Sequence, residues 1–412
     1  MHPSRIDLHN ELHARPSIYF NEPVQVFHLA LVESEGALEE IIRRLHAADE
    51  DRDAQQQAHG LLELDGHEVK WERHTEFLSL TLVAPKAADA PLWPPLPAAL
   101  QDAIAGHEHL LINATQILVE SEQTWEGHTA GYGFQDPAGS QIGGGDAIVW
   151  SDFRLCAEGM NRLLLVNRGL NAYRLGRMVR RLLEIETYRM MASLTLPVAK
   201  ALSAQLKGFD RALAALSDKN AQTDTANARL ILGEIANLSA QVVRIAAKTR
   251  QRFSAAEAYA QIVFERIGEL RESHVGDCQR LGVFIERRFK PTVRYCSATH
   301  QRLERLGDSV ANLSELLQAR VQVEVEEQNS AILHSLHSRA TTQIKIQKAV
   351  EGLSIIAISY YLLSLFKLFY EGLHSLGVEL APRQAALYLA PIALILIAGI
   401  ALHIRKTRAH GE

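Results

Sequence analysis

The chain has 412 residues, 47% of them hydrophobic and 22% charged, with a formal net charge of −5. That is enough apolar material for a packed core in two or three domains, and it excludes a disordered tail. Lys and Arg are mixed with Asp and Glu along the chain rather than in excess, so nucleic acid is not an expected partner, and three cysteines without a CxxC pair (Cys156, Cys278, Cys296) fit a reducing compartment.

The N-terminus, Met1 to Asp7, carries no apolar stretch of the kind a secretory signal needs, which predicts that the body remains in the cytosol. Residues 1–21 read as a docking segment. Within it His9 and His13 stand four apart with Glu11 between them and Arg15 just beyond. On a helix both imidazoles would share a face, as a metal site requires. The zinc-protease motifs place their Glu directly beside one His, whereas here it sits midway, so the segment is expected to hydrogen-bond the body or a neighbouring subunit.

Residues 22–170 alternate short β-rich runs (Val24–Val32, Phe77–Val83, Ile112–Glu120, Ala147–Trp150, Leu163–Val166) with helical or turn-rich segments, which predicts a mixed α/β head. Leu38, Ile41, Ile42 and Leu45 give Ala37–Ala47 helical spacing, and Pro94-Pro95 marks the approach to a short helix at Leu96–Ala105 after a loop over Ala84–Pro97. Gly143-Gly144-Gly145-Asp146 lacks the Lys-Ser/Thr of a phosphate loop and precedes a strand, so it reads as a turn. No other catalytic motif stands out, and the expectation is a protein without enzymatic chemistry, resident cofactor or bound metal.

Residues 171–349 are Gly-poor, charged and helical, broken near Ser217–Thr223 and His274–Gly276, which predicts three long antiparallel helices forming a stalk. Ile231, Ile235, Leu238, Val242 and Ile245 in the second, and Leu303, Leu306, Val310, Leu313 and Leu317 in the third, have coiled-coil spacing. The third, starting near Asp277 and carrying Pro291, has no obvious stop before the apolar segment that follows.

Residues 350–404 contain two apolar runs, Leu353–Tyr370 and Ala385–Ile404, each of a length that crosses a ~30 Å hydrocarbon core. About fourteen residues separate them, so the pair reads as a transmembrane hairpin. Arg339, Lys345 and Lys348 precede it and Arg405, Lys406 and Arg408 follow in a basic tail over 405–412, while Arg383 alone among strong bases lies between. That asymmetry predicts a multi-pass membrane protein with both ends cytoplasmic. Tyr360, Ser364, Lys367 and Glu371 recur at helical spacing on one face of the first run. Such a stripe either cements helices in a homo-oligomer or lines a pore.

The overall class is therefore α+β: an N-terminal mixed head, a helical stalk and a C-terminal hairpin. That order, with the segment Gln343 to Ser354 leading into the membrane, resembles the CorA-type magnesium channels, although Tyr370-Glu371-Gly372-Leu373 stands where that family carries Gly-Met-Asn. The wording of Leu8 to Pro16 and of Val350 to Tyr361 resembles a bacterial family of membrane-anchored proteins known only as a domain of unknown function. The leading expectation is a membrane-anchored oligomeric scaffold or sensor whose partner is the lipid bilayer; the alternative is a divergent channel passing a divalent cation. A ring of lysines at Lys367 would repel cations, which favours the anchor.

Overall fold

A computed structural model describes residues 2, 5, 9, 18–34, 36–47, 58–222, 225–375, 377 and 382–408. It is α+β and divides into two compact units, Met1–Glu315 and Leu316–Glu412.

Among the described residues the first unit is built on a nine-stranded mixed sheet in the order β2-β3-β4-β1-β5-β8-β7-β6-β9. The central strands β1 (Val24–Val32), β4 (Phe77–Pro85), β5 (Leu111–Ser121), β7 (Ala147–Ser151) and β8 (Asn161–Asn167) include every predicted run, lengthened by one to three residues in four of the five. Four further strands were not foreseen: β2 (His59–Leu64), β3 (His67–Arg73), β6 (Ala138–Ile142) and β9 (Ser273–His274). β2 and β3 lie at one edge, where Glu63, Glu68 and Glu72 interrupt the apolar pattern, and β9 is two residues from the connection between the helices Thr225–Glu269 and Leu281–Ser375. β5 and β8 pair in parallel and all other neighbours are antiparallel.

Alternation along β1 separates two cores. Phe27, Leu29 and Leu31 point to the face covered by α1 (Ala37–Ala47) and α2 (Ala98–Ile104). α1 buries Leu38, Ile41, Ile42 and Leu45, and the acids of its first turn and bases of its last oppose the helix dipole ends favourably. Val24 and Val26 point the other way, into a core with Leu175, Val179, Leu182 and Leu183 of α3 (Ala172–Ser193), Val263 and Ile267 of α5 (Thr225–Glu269), and Leu281 and Ile285 of α6 (Leu281–Ser375). Asn171 caps α3 by accepting from the Arg174 amide at 3.0 Å. The turn at Gly143-Gly144-Gly145 joins β6 to β7 with three consecutive left-handed φ angles, which only glycine adopts freely.

The first of the three expected long helices is in fact two. α3 ends at Ser193 and α4 (Thr195–Gln222) starts after Leu194. Pro197 explains the break, because a proline ring clashes with the carbonyl four residues earlier, here that of Ser193. The helix expected from Asp277 begins at Leu281 and continues through Pro291.

Among the described residues two helices are long and apolar enough to cross a membrane, Asn227–Glu269 and Leu281–Ser375. They differ in what covers them. In the former Ile231, Ile235, Leu238 and Val242 are buried and Glu234 is paired with Lys219 at 2.7 Å, as in a bundle helix of a folded body. In the apolar window of the latter nothing is buried. In the second unit Leu353, Ile356, Leu363 and Leu368 of α6, and Leu387, Leu394 and Ile395 of α7 (Pro382–Arg408), are all more than half exposed.

Candidate functional site

The face of the sheet under α3 is not uniformly apolar. Strand register sets Lys70 of β3 opposite Thr81 of β4, Thr81 opposite His28 of β1, His28 opposite Thr115 of β5, and Thr115 opposite Asn161 of β8. Five strands thus contribute one polar row. All but Thr81 are buried. Unpaired polar groups in such a place cost about 1–3 kcal/mol each, so the row has to be closed by hydrogen bonds.

His28 sits at its centre. Its Nδ1 lies 2.8 Å from Thr81 Oγ1 and its Nε2 lies 2.9 Å from Thr187 Oγ1 on α3. A neutral imidazole needs one acceptor and one donor, and a hydroxyl serves as either. Thr187 Oγ1 also accepts from Asn113 Nδ2 at 3.0 Å, and Thr115 donates to Asn113 Oδ1 at 3.0 Å. Further along, Asn161 Nδ2 donates to Glu186 Oε2 at 2.9 Å, and Arg189 holds that buried carboxylate at 2.6 Å. Burial, the largest cause, drives the His28 pKa down to about 3, with nearby Lys70 and His74 adding to the effect and Glu72 opposing it. The ring is therefore neutral at physiological pH and organises the row rather than shuttling protons.

At the Lys70 end the row opens into a cleft between β3, β4, β1 and α3 with about 60 Å³ of free space. Its apolar wall includes Ile18, Phe20, Val26, Val83, Val179 and Leu183, and its polar edge is Lys70, Glu72, Arg180 and Glu184. Lys70 Nζ meets Glu72 Oε2 at 2.9 Å, and Arg180 meets Glu184 at 2.7 Å. Arg266 of α5 closes on the second oxygen of Glu184. Burial lowers the Lys70 pKa although Glu72 resists it; burial would raise that of Glu72, but the Lys70 ammonium, with help from Arg180 and His74, brings it below the ordinary carboxylate value. One oxygen of that carboxylate, Oε1, is buried and has no hydrogen-bond partner.

Beside the cleft His74 stacks on Phe77 at 4.1 Å and Tyr188 stacks on Tyr259 at 5.5 Å. Tyr259 donates to Glu76 at 2.9 Å, and Arg252 pairs with the same carboxylate at 3.2 Å. Burial, then Glu76, raises the Tyr259 pKa and keeps the phenol protonated.

Those residues singled out from the sequence that the structure describes lie elsewhere. His9 is exposed, and Glu11, His13 and Arg15 lie outside the described residues. The chain just after it is held: Ile18 is buried and Tyr19 packs on Tyr173 of α3 at 4.4 Å. Tyr360, Ser364, Lys367 and Glu371 lie on α6 in the second unit, with Lys367 Nζ 3.9 Å from Glu371 Oε1 and both side chains exposed. His28, Lys70 and Glu72 were missed. Lys70 and Glu72 stand on a strand that was not recognised, and His28 is a lone histidine in an apolar run; the signal for it, a polar residue at the inward position of a buried strand, is visible only once the faces are assigned. Among the described residues no group of three His, Cys, Asp or Glu side chains is placed to hold a metal ion.

No curated protein and no solved structure matches the chain. A family model matches residues 1–410, almost its whole length. The chain belongs to the family described as protein of unknown function, DUF3422.

Proposed function

We propose that the protein is an oligomeric scaffold or sensor of the bacterial inner membrane, without catalysis. In this reading α7 and the C-terminal part of α6 form a hairpin anchor, and the sheet body stands in the cytosol with both chain ends. The observation that carries the anchor is the uncovered apolar window of α6: the sheet body buries its large side chains thoroughly, and surfaces of this kind need lipid or another protein to cover them. The flanking bases support the orientation. The sensor half draws on the cleft at Lys70 and Glu72, a concave apolar site with a few polar groups, which is the usual form of a small-molecule site.

Truncation after Gln328 tests the anchor. The shortened chain is expected in the soluble fraction of a cell lysate, whereas the full chain stays in the membrane pellet through a high-salt wash. A truncated chain that stays in that pellet would overturn the assignment.

A second reading, a channel of CorA type passing a divalent cation, draws on the unbroken course of α6 from the sheet body into the apolar segment. The lysine in the polar stripe weighs against it, because a pore ringed by ammonium groups repels cations. Magnesium flux into dye-loaded proteoliposomes, increased by Lys367→Leu, would raise it above the anchor.

A further inference from the structure

We propose that the cleft between β3, β4, β1 and α3 binds an uncharged small molecule with an N–H or O–H donor on a short apolar chain, the donor being taken by Glu72. This rests on the sensor reading above and names the class of ligand for that site.

Three features set the class. The first is the buried Oε1 of Glu72, an acceptor with neither solvent nor protein to satisfy it. Its partner oxygen is already held by Lys70, so the carboxylate is fixed at one end and open at the other. The terminal torsion of a glutamate is broad and the lysine ammonium is flexible, so a turn of the carboxylate with Lys70 following its oxygen presents Oε1 to a donor inside the cleft. A ligand that supplies that donor removes a standing cost of burial; one without it leaves the carboxylate as it is.

The second is charge. The two acids on the polar edge, Glu72 and Glu184, each have a cation at hydrogen-bond distance, Lys70 and Arg180, and Arg266 adds a third. His28 at the base is neutral. A cationic ligand would meet Lys70 and Arg180, and an anionic one would meet the open oxygen of Glu72. An uncharged head group avoids both.

The third is size. About 60 Å³ is less than half of the roughly 150 Å³ that admits a benzene ring to an apolar cavity, but it holds a hydroxyl or amide head and the first carbons of a chain. The rest of the chain lies along Ile18, Phe20, Val179 and Leu183, which line the same cleft.

The test is a set of probes with one tail and different heads, 1-butanol, butyramide, methyl propyl ether, butylammonium and butyrate, offered to the full chain in nanodiscs. Binding is read by saturation-transfer NMR, with empty nanodiscs as the reference. Butanol and butyramide should bind with Kd on the order of 1–10 mM, the scale for ligands of five or six heavy atoms. The ether, lacking a donor, should bind at least about tenfold more weakly, as should both ions. Glu72→Gln, shown folded by an unchanged far-UV spectrum, should reduce the difference between butanol and the ether.

Equal binding of butanol and the ether would overturn the role of Glu72. Tightest binding of butyrate would make this an anion site of Lys70 and Arg180, and tightest binding of butylammonium a cation site; each sinks the assignment. No binding by any probe would leave the cleft filled by ordered water only and also sinks it. The anchor half of the proposed function is untouched by these outcomes, because its readout is the membrane pellet.

Discussion

The main-chain oxygen of Ile18 lies directly against Gly176 of α3, so close that a methyl group built on the glycine would stand 2.3 Å from it. The contact pins the chain leading into β1 across the helix and sets Ile18 into the wall of the cleft. Two effects of Gly176→Ala therefore oppose each other. Alanine in a helix interior gains roughly 1 kcal/mol over glycine from propensity, whereas crowding a backbone atom that cannot rotate away costs about 1–3 kcal/mol. We expect the second to win: the variant should melt lower than the natural protein and bind cleft probes less well. A higher melting temperature would mean that the Ile18 segment yields easily.

The buried histidine makes stability depend on pH in a direction that can be worked out. In the unfolded chain the ring protonates near 6.5, and in the folded protein only near about 3. Between those values the unfolded state binds more protons, so the stability present above pH 6.5 is lost progressively as pH falls toward 3. The slope from this one group is at most about 1.4 kcal/mol per pH unit. Glu72 and Glu269 have lowered values and lose their own contributions below the ordinary carboxylate range, so pH 7.5 to 5 isolates the histidine. The melting temperature should fall across that window in the natural protein and fall less in His28→Gln. Parallel curves for the two proteins would contradict the assignment.

Lys367 and Glu371 stand one turn apart on the exposed surface of α6. If that surface is an assembly interface in the membrane, Lys367→Leu leaves a carboxylate without its counter-charge and should weaken the oligomer. Adding Glu371→Gln should restore part of the loss, with a coupling of about 0.5–2 kcal/mol in a double-mutant cycle read by subunit exchange. Additive effects would place the pair outside any interface.

The proposed hairpin assigns sides as well as spans. In a chain whose Cys156, Cys278 and Cys296 have been replaced by serine, a cysteine at Gly377, between α6 and α7, should react with a membrane-impermeant maleimide added to spheroplasts. One at Glu412 should react only after lysis. Labelling of Glu412 in intact spheroplasts would break the hairpin and leave a single crossing.

What could be read from the sequence alone was local. Helix Ala37–Ala47 has its bounds in its periodicity and charge, strand Val24–Val32 in its β-branched run, and the turn at Gly143-Gly144-Gly145 in its glycines, because each depends on neighbours within a few residues. The two apolar C-terminal helices were legible for the same reason. Strands β2 and β3 were not, since Glu63, Glu68, Lys70 and Glu72 break the apolar pattern of a buried strand and the pair is specified by its partners across the sheet. The break at Leu194 was there to be read in Pro197 and was passed over because the flanking segments have the same composition. The row from Lys70 to Asn161 had no local signal at all. Its members come from five strands, and only pairing across the sheet puts them in line; only the packing of α3 over that line brings Thr187 to His28 and decides that the ring is neutral. Register and burial are properties of the assembled sheet, so the site they create belongs to the tertiary structure.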